Sequence, residues 1–124
     1  MDLQKIVSIT GKPGLYRVVA ETPKRIIVES LEDKTKKIPV GSNFQVALLD
    51  KITIFTTNND DLYLKDIFKG MDDDESETPT SSNSPAELRE YFKIIAPNHD
   101  ESRVYASDLK KIIKWYHLLK KFNS

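Results

Sequence analysis

The chain has no cysteine, a single tryptophan, two histidines, four glycines and a formal net charge of zero, and each shortage excludes something. Without cysteine there is no disulfide framework, no thiolate zinc site and no cysteine nucleophile. Nineteen Lys and Arg cancel nineteen Asp and Glu, so no global field draws the protein to nucleic acid or to an anionic membrane. No apolar run approaches the roughly 20 residues of a membrane span. The opening MDLQKIVSIT lacks a basic stretch followed by a long apolar one, so it does not read as a signal peptide. The expected location is cytoplasmic. His99 and His117 have no neighbouring carboxylate or second histidine at metal spacing, and both are expected at the surface. Gly11-Lys12-Pro13-Gly14 is not GxxxxGK[ST] and a strand follows it, so it reads as a turn rather than a phosphate loop.

What is present is a change of rhythm. Over 124 residues, 39% are hydrophobic and 31% charged, enough for a core under a well-solvated surface. Between Met71 and Ser84 the chain runs MDDDESETPTSSNS. Before it, apolar residues alternate in short runs broken by Gly and Pro; after it, they recur at three and four residues. Residues 1–70 carry 11 basic and 9 acidic side chains, the spacer none and 5, and residues 85–124 carry 8 and 5. The parts on either side are mildly basic, and the spacer neutralises them.

In the first half, Lys5 to Thr10 reads as a strand, and Lys12-Pro13-Gly14-Leu15 suits a type II turn. Strands are expected over Leu15 to Ala20, Ile26 to Leu31 and Lys36 to Val40, where Pro39 marks an edge because it lacks a ladder N–H. Phe44 to Leu49 is ambiguous between strand and helical turn, and ITIFT (Ile52 to Thr56) reads as a further strand. A short closing helix over 61–70 follows, with Asp60 or Asp61 as cap and Gly70 ending it in a left-handed conformation.

In the second half, Ser84-Pro85-Ala86-Glu87 has the form of a capping box with Pro at the first helical position. Leu88, Tyr91, Phe92 and Ile95 then form one stripe. A loop leads to Ser107, a second expected cap, and a helix to about Phe122. The loop from Pro97 to Asp108 has EF-hand length, but Pro97 offers no side-chain oxygen and Ser102 stands where glycine is needed. It should anchor the helices instead, with Val104 and Tyr105 inserted into the core. On the last helix the apolar arc spans roughly 220°, about twice what one packing face requires. Trp115, Leu118 and Phe122 therefore need a further partner: the sheet, a second copy or a bound protein. Lys110, Lys114, His117 and Lys121 form a narrow basic ridge opposite.

LQKIVSITGKPGLYRVV, IIVESLED, DKITIFT and RVYASDLKKIIKWYHLL resemble an uncharacterised family of small proteins from Bacteroidetes-type bacteria. The resemblance covers nearly the whole chain outside the spacer, and GKPGLY and RVYASDLKKIIKWY are its most specific stretches. It implies a cytoplasmic bacterial protein of unknown function and carries over no functional residue.

The expected architecture is α+β. Residues 1–70 form a small antiparallel sheet or an SH3-like or Tudor-like partial barrel, 71–84 an acidic flexible linker, and 85–124 a two-helix unit. The helical unit is near the lower size limit for independent folding and should dock on the sheet or dimerise. No catalytic, cofactor or metal site, and no small-molecule ligand, is evident. The expected role is a non-catalytic protein-interaction or adaptor module using Trp115, Leu118 and Phe122. The alternative is a nucleic-acid or ribosome-associated binder using the barrel and the basic ridge.

Overall fold

The computed structural model describes residues 2–74 and 77–122. Five strands form one antiparallel sheet: β1 (Ile6–Ile9), β2 (Lys12–Glu21), β3 (Arg25–Ser30), β4 (Lys37–Gly41) and β5 (Val46–Leu48), in the order β4-β3-β2-β1-β5. Pro39 falls on the edge strand β4, where its missing N–H costs no ladder bond. The turn expected at Lys12 to Leu15 lies elsewhere. Ile9 pairs with Lys12, so the β1–β2 reversal uses Thr10 and Gly11, with Gly11 at φ 85°. Gly14, at φ 82°, sits in a bulge inside β2, where the register against β1 shifts. A second irregularity between Val18 and Ala20 bends β2 against β3.

The link between the two edge strands shows that this sheet curls. In a flat five-stranded sheet the outer strands stand roughly 19 Å apart. Phe44 N–H donates to Gly41 O at 3.2 Å, closing residues 41–44 into a turn no more than about 7 Å across. Two further residues to Val46 add at most about 7 Å. The edges must therefore approach each other, and Val46 of β5 does line one depression with Ile26 of β3 and Val40 of β4. The concave face encloses its own small core of Val7, Ile9, Tyr16, Val18, Val28 and Val40.

The other face is covered by the rest of the chain. After β5, a single 3-10 turn (Leu49–Lys51) turns the chain off the sheet. ITIFT is consequently not a further strand of it: only β6 (Thr53–Ile54) is extended, paired with β7 (Leu62–Tyr63) in a separate ribbon. The closing helix α1 spans Leu64–Asp73, three residues later than its periodicity suggested. Tyr63 stands at its N-cap with no side-chain cap, and Gly70 lies inside it. A Cβ on Gly70 would meet the Ile95 carbonyl at 3.6 Å, so this glycine lies beneath α2 and does not terminate α1.

Helix α2 (Pro85–Ile95) begins with the expected box: Ser84 Oγ accepts from Glu87 N at 3.2 Å, and Glu87 Oε1 accepts from Ser84 N at 2.9 Å. Helix α3 (Ala106–Phe122) starts before Ser107. Asp108, at its third position, reaches back to the residue before the helix: its Oδ2 accepts from Tyr105 N at 2.9 Å. Val104 is buried as expected, but Tyr105 is 64% exposed, because the helix turns its ring away from the core. Ile6, Leu15 and Leu31 from the sheet join Phe68, Phe92, Leu109 and Ile113 from the helices in one large core. Among the described residues no helix is long and apolar enough to cross a membrane.

Candidate functional site

Lys111, Lys114 and Trp115 stand at i, i+3 and i+4 on α3, so they share one flank. The β1–β2 turn faces that flank. Two adjoining hollows lie between them and share Ser8, Thr10, Lys111 and Trp115. The first, of ≈ 430 Å³, is closed by the turn itself, with Lys12, Lys111 and Lys114 in its wall. The second, of ≈ 370 Å³, continues past Ile54 and Phe55 towards Arg103 and Asp108. Together they form a groove with Trp115 at its middle.

The first hollow is electropositive. Its lining includes three lysines and no carboxylate, and none of the three makes an ion pair among the described residues. Two of these ammonium groups rest over aromatic faces: Lys12 at 5.3 Å from the Phe44 centroid and Lys111 at 5.8 Å from that of Trp115. In the second hollow the charges are already committed. Arg103 Nε lies 2.8 Å from Asp100 Oδ2, Arg103 Nη2 donates to Thr56 O at 3.3 Å, and the guanidinium sits 4.5 Å above the Phe55 ring. Hydrogen bonds from the Ser102 hydroxyl, Arg103 and the Ser102 N–H hold the Asp100 carboxyl down at about 2. Asp108 is engaged in capping α3.

The residues singled out by pattern are dispersed. Trp115 lies in the groove, whereas Leu118 and Phe122 are half-buried and, like Trp115, pack against the large core. That packing accommodates much of the wide apolar arc. The ridge divides: Lys110 and Lys121 face solvent, Lys114 enters the groove wall, and His117 is half-buried. The His117 Nε2 lies 2.8 Å from Pro79 O; a carbonyl only accepts, so Nε2 carries the proton. His99 is not a surface residue. It is 2% exposed, its ring meets Phe92, and Nδ1 lies 2.6 Å from Ala96 O, which makes Nδ1 the protonated nitrogen. An isolated bridge between Thr56 and His99 draws it inward. Among the described residues no group of three or more His, Asp or Glu could hold a metal.

Sequence reasoning missed Lys12 and Lys111. Lys111 lies four residues before Trp115, a spacing that places its amine over the indole, and that signal was available. Lys12 joins them only through the fold. On the far side of α3, Tyr116 OH donates to Asp72 Oδ1 at 2.6 Å and Lys120 Nζ lies 3.1 Å from the same oxygen. Partial burial raises the Asp72 carboxyl pKa, but the bonds from Tyr116 and Lys120 outweigh it and the net shift is downward. Burial first, and then Asp72, push the Tyr116 hydroxyl up. Glu75 of the acidic run lies outside the described residues.

A curled antiparallel sheet with one face covered by three helices makes this an α+β protein. Residues 52–119 match the model described as Domain of unknown function (DUF6852), and residues 3–49 match Domain of unknown function (DUF5606). The chain belongs to this uncharacterised family. It is similar, at 31% identity and a TM-score of 0.71, to a protein from Bacteroides vulgatus whose solution NMR structure was determined as a structural-genomics target. That likeness covers 98% of this chain and 88% of the other. No curated protein matches the chain. The two matched segments meet at the 3-10 turn, so the first takes in β1–β5 and the second takes in β6, β7 and most of the helical part.

Proposed function

We propose that this is a non-catalytic, cytoplasmic binding module on an SH3-like partial barrel, whose groove beside α3 takes an extended anionic partner. The observation that carries this reading is the first hollow: three lysines with no ion pair among the described residues, and no carboxylate in its lining. In such a cleft like charges focus the field even when the whole protein is neutral. The strand order, the long bent β2 and the approach of β4 to β5 support the barrel description. A binding rather than catalytic role fits the polar groups present. Asp108 and Asp100 are occupied by structural hydrogen bonds, and Ser8 and Thr10 share the groove with no histidine among its lining residues.

The test is titration with two polyanions, oligoglutamate and a short single-stranded oligonucleotide, at about 50 mM salt. At least one should bind, with affinity falling as salt rises. Reversing Lys111→Glu together with Lys114→Glu should abolish binding while the circular dichroism spectrum and melting temperature stay close to those of the parent, since both side chains are exposed. Binding that survives the reversal, or no binding to either probe, overturns the reading.

A second reading, capture of a protein through Trp115, Leu118 and Phe122, makes a different prediction. Polar substitutions at Leu118 and Phe122 should abolish capture with the fold intact. Their packing against the large core favours destabilisation instead.

A further inference from the structure

We infer that the anionic partner is single-stranded nucleic acid, held by its phosphates at Lys12, Lys111 and Lys114 with a base stacked on Trp115. This rests on the groove reading above and goes further by naming the ligand. An acidic peptide would satisfy the lysines equally well, but two features of the groove favour a nucleic acid.

The first is the aromatic surface among the cations. Trp115 sits where the two hollows meet, and Phe55 with Arg103 over its ring lines the second. Carboxylate side chains need no flat apolar platform. Bases do, and stacking on aromatic rings beside a cationic track is how single strands are held without sequence preference. The second is the β1–β2 turn. Gly11 is held at positive φ and a Cβ there would have nothing within 4 Å. The backbone of the turn is therefore open to close approach, with the Ser8 and Thr10 hydroxyls beside it. A duplex would offer no exposed base faces for Trp115, so the strand must be single.

Trp115 is the one tryptophan of the chain, which makes the groove its own reporter. The experiment is titration of the intact protein with oligo-dT and oligo-U of about eight nucleotides, with an oligoglutamate of equal charge and inorganic phosphate in parallel. The readouts are Trp115 fluorescence and a label on the probe. The expected result is binding of the oligonucleotides with quenching of Trp115. Three phosphate contacts give a slope of log affinity on log salt of about −2, at roughly −0.7 per contact on a single strand. Lys12→Gln, Lys111→Gln and Lys114→Gln should each shrink that slope by about 0.7. Trp115→Leu should weaken binding about tenfold while Trp115→Phe retains most of it, as loss of one stacked base predicts. The lysine variants keep the test decisive even if Trp115→Leu fails to fold, because their side chains lie on the groove wall and outside the core. Oligoglutamate binding as tightly, with the same slope and no quenching difference, overturns the nucleic-acid assignment and leaves the anionic groove standing. Absence of binding by every polyanion overturns both.

Discussion

Leu109 of α3 has no exposed surface and lies in the core that joins Ile6, Leu15 and Leu31 of the sheet to Phe68, Phe92 and Ile113 of the helices. Replacing Leu109→Ala deletes buried methyl groups and leaves a cavity between the two halves. For a site this enclosed the cost is about 3–4 kcal/mol. A chain of 124 residues has a total stability of roughly 6–18 kcal/mol at 0.05–0.15 kcal/mol per residue. The substitution thus removes a substantial share, and the melting temperature should fall by about 10–15 °C. The more searching question is what melts. Val7 follows Ile6 in β1 and Tyr16 follows Leu15 in β2, so the concave core of the sheet and the large core share the same strands on opposite faces. Loss of one face should release the other. Helical signal by far-ultraviolet circular dichroism, Trp115 fluorescence, and amide exchange at Val18 and Val28 should therefore shift together and coincide in a single transition. If Leu109→Ala lowers the helical transition while Val18 and Val28 keep their protection, the sheet stands alone and the shared-core argument is wrong.

The further predictions use local features. Tyr116→Phe removes a hydrogen bond to a charged acceptor and should cost about 1.5–3 kcal/mol in denaturant unfolding. The folded Asp72 and Asp100 carboxyls lie below their unfolded values. Their contribution is therefore complete above about pH 4 and lost as pH falls through the folded values, about 2 for Asp100. Melting temperature should drop over that window, less steeply in Asp72→Asn. The folded Tyr116 and Tyr91 hydroxyls are raised, Tyr91 chiefly by burial, so their contribution holds below about pH 10 and is lost as pH climbs beyond it. Tyr116→Phe should flatten that alkaline limb. Ser84→Ala breaks the capping box of α2 and should cost about 1 kcal/mol, largely restored by Ser84→Asp. Gly14→Ala puts a side chain at φ 82° and its Cβ 2.9 Å from Glu32 Oε1. Glu32 is exposed and can swing aside, so the loss should be the backbone cost alone, about 1–2 kcal/mol by calorimetry.

Local signals read well where the cause is local. The capping box at Ser84 and Glu87 needs only four consecutive residues, and it forms as its spacing implies. Pro39 marks an edge because a missing donor is intolerable elsewhere in a sheet. Gly70 shows the opposite case. A glycine after an apolar stripe has the form of a helix end, but nothing in its neighbourhood reveals that Ile95 passes over it. His99 looks like a loop histidine until Thr56, from a distant segment, bridges to it and Phe92 covers its ring.

The acidic spacer marks where the period of the sequence changes, and periodicity alone was enough to establish an α+β chain with strands first and helices after. That much follows from side-chain alternation, which depends on the backbone within a few residues. Tertiary structure decided what each face meets. It extended α1 into the acidic run, tied Asp72 to Tyr116 and Lys120, and packed Leu118 and Phe122 on the shared core. It also brought Lys12 from the first hairpin to Lys111, Lys114 and Trp115 of the last helix. A groove made by residues from opposite ends of a chain depends on how two surfaces pack, and no pattern along either segment records that.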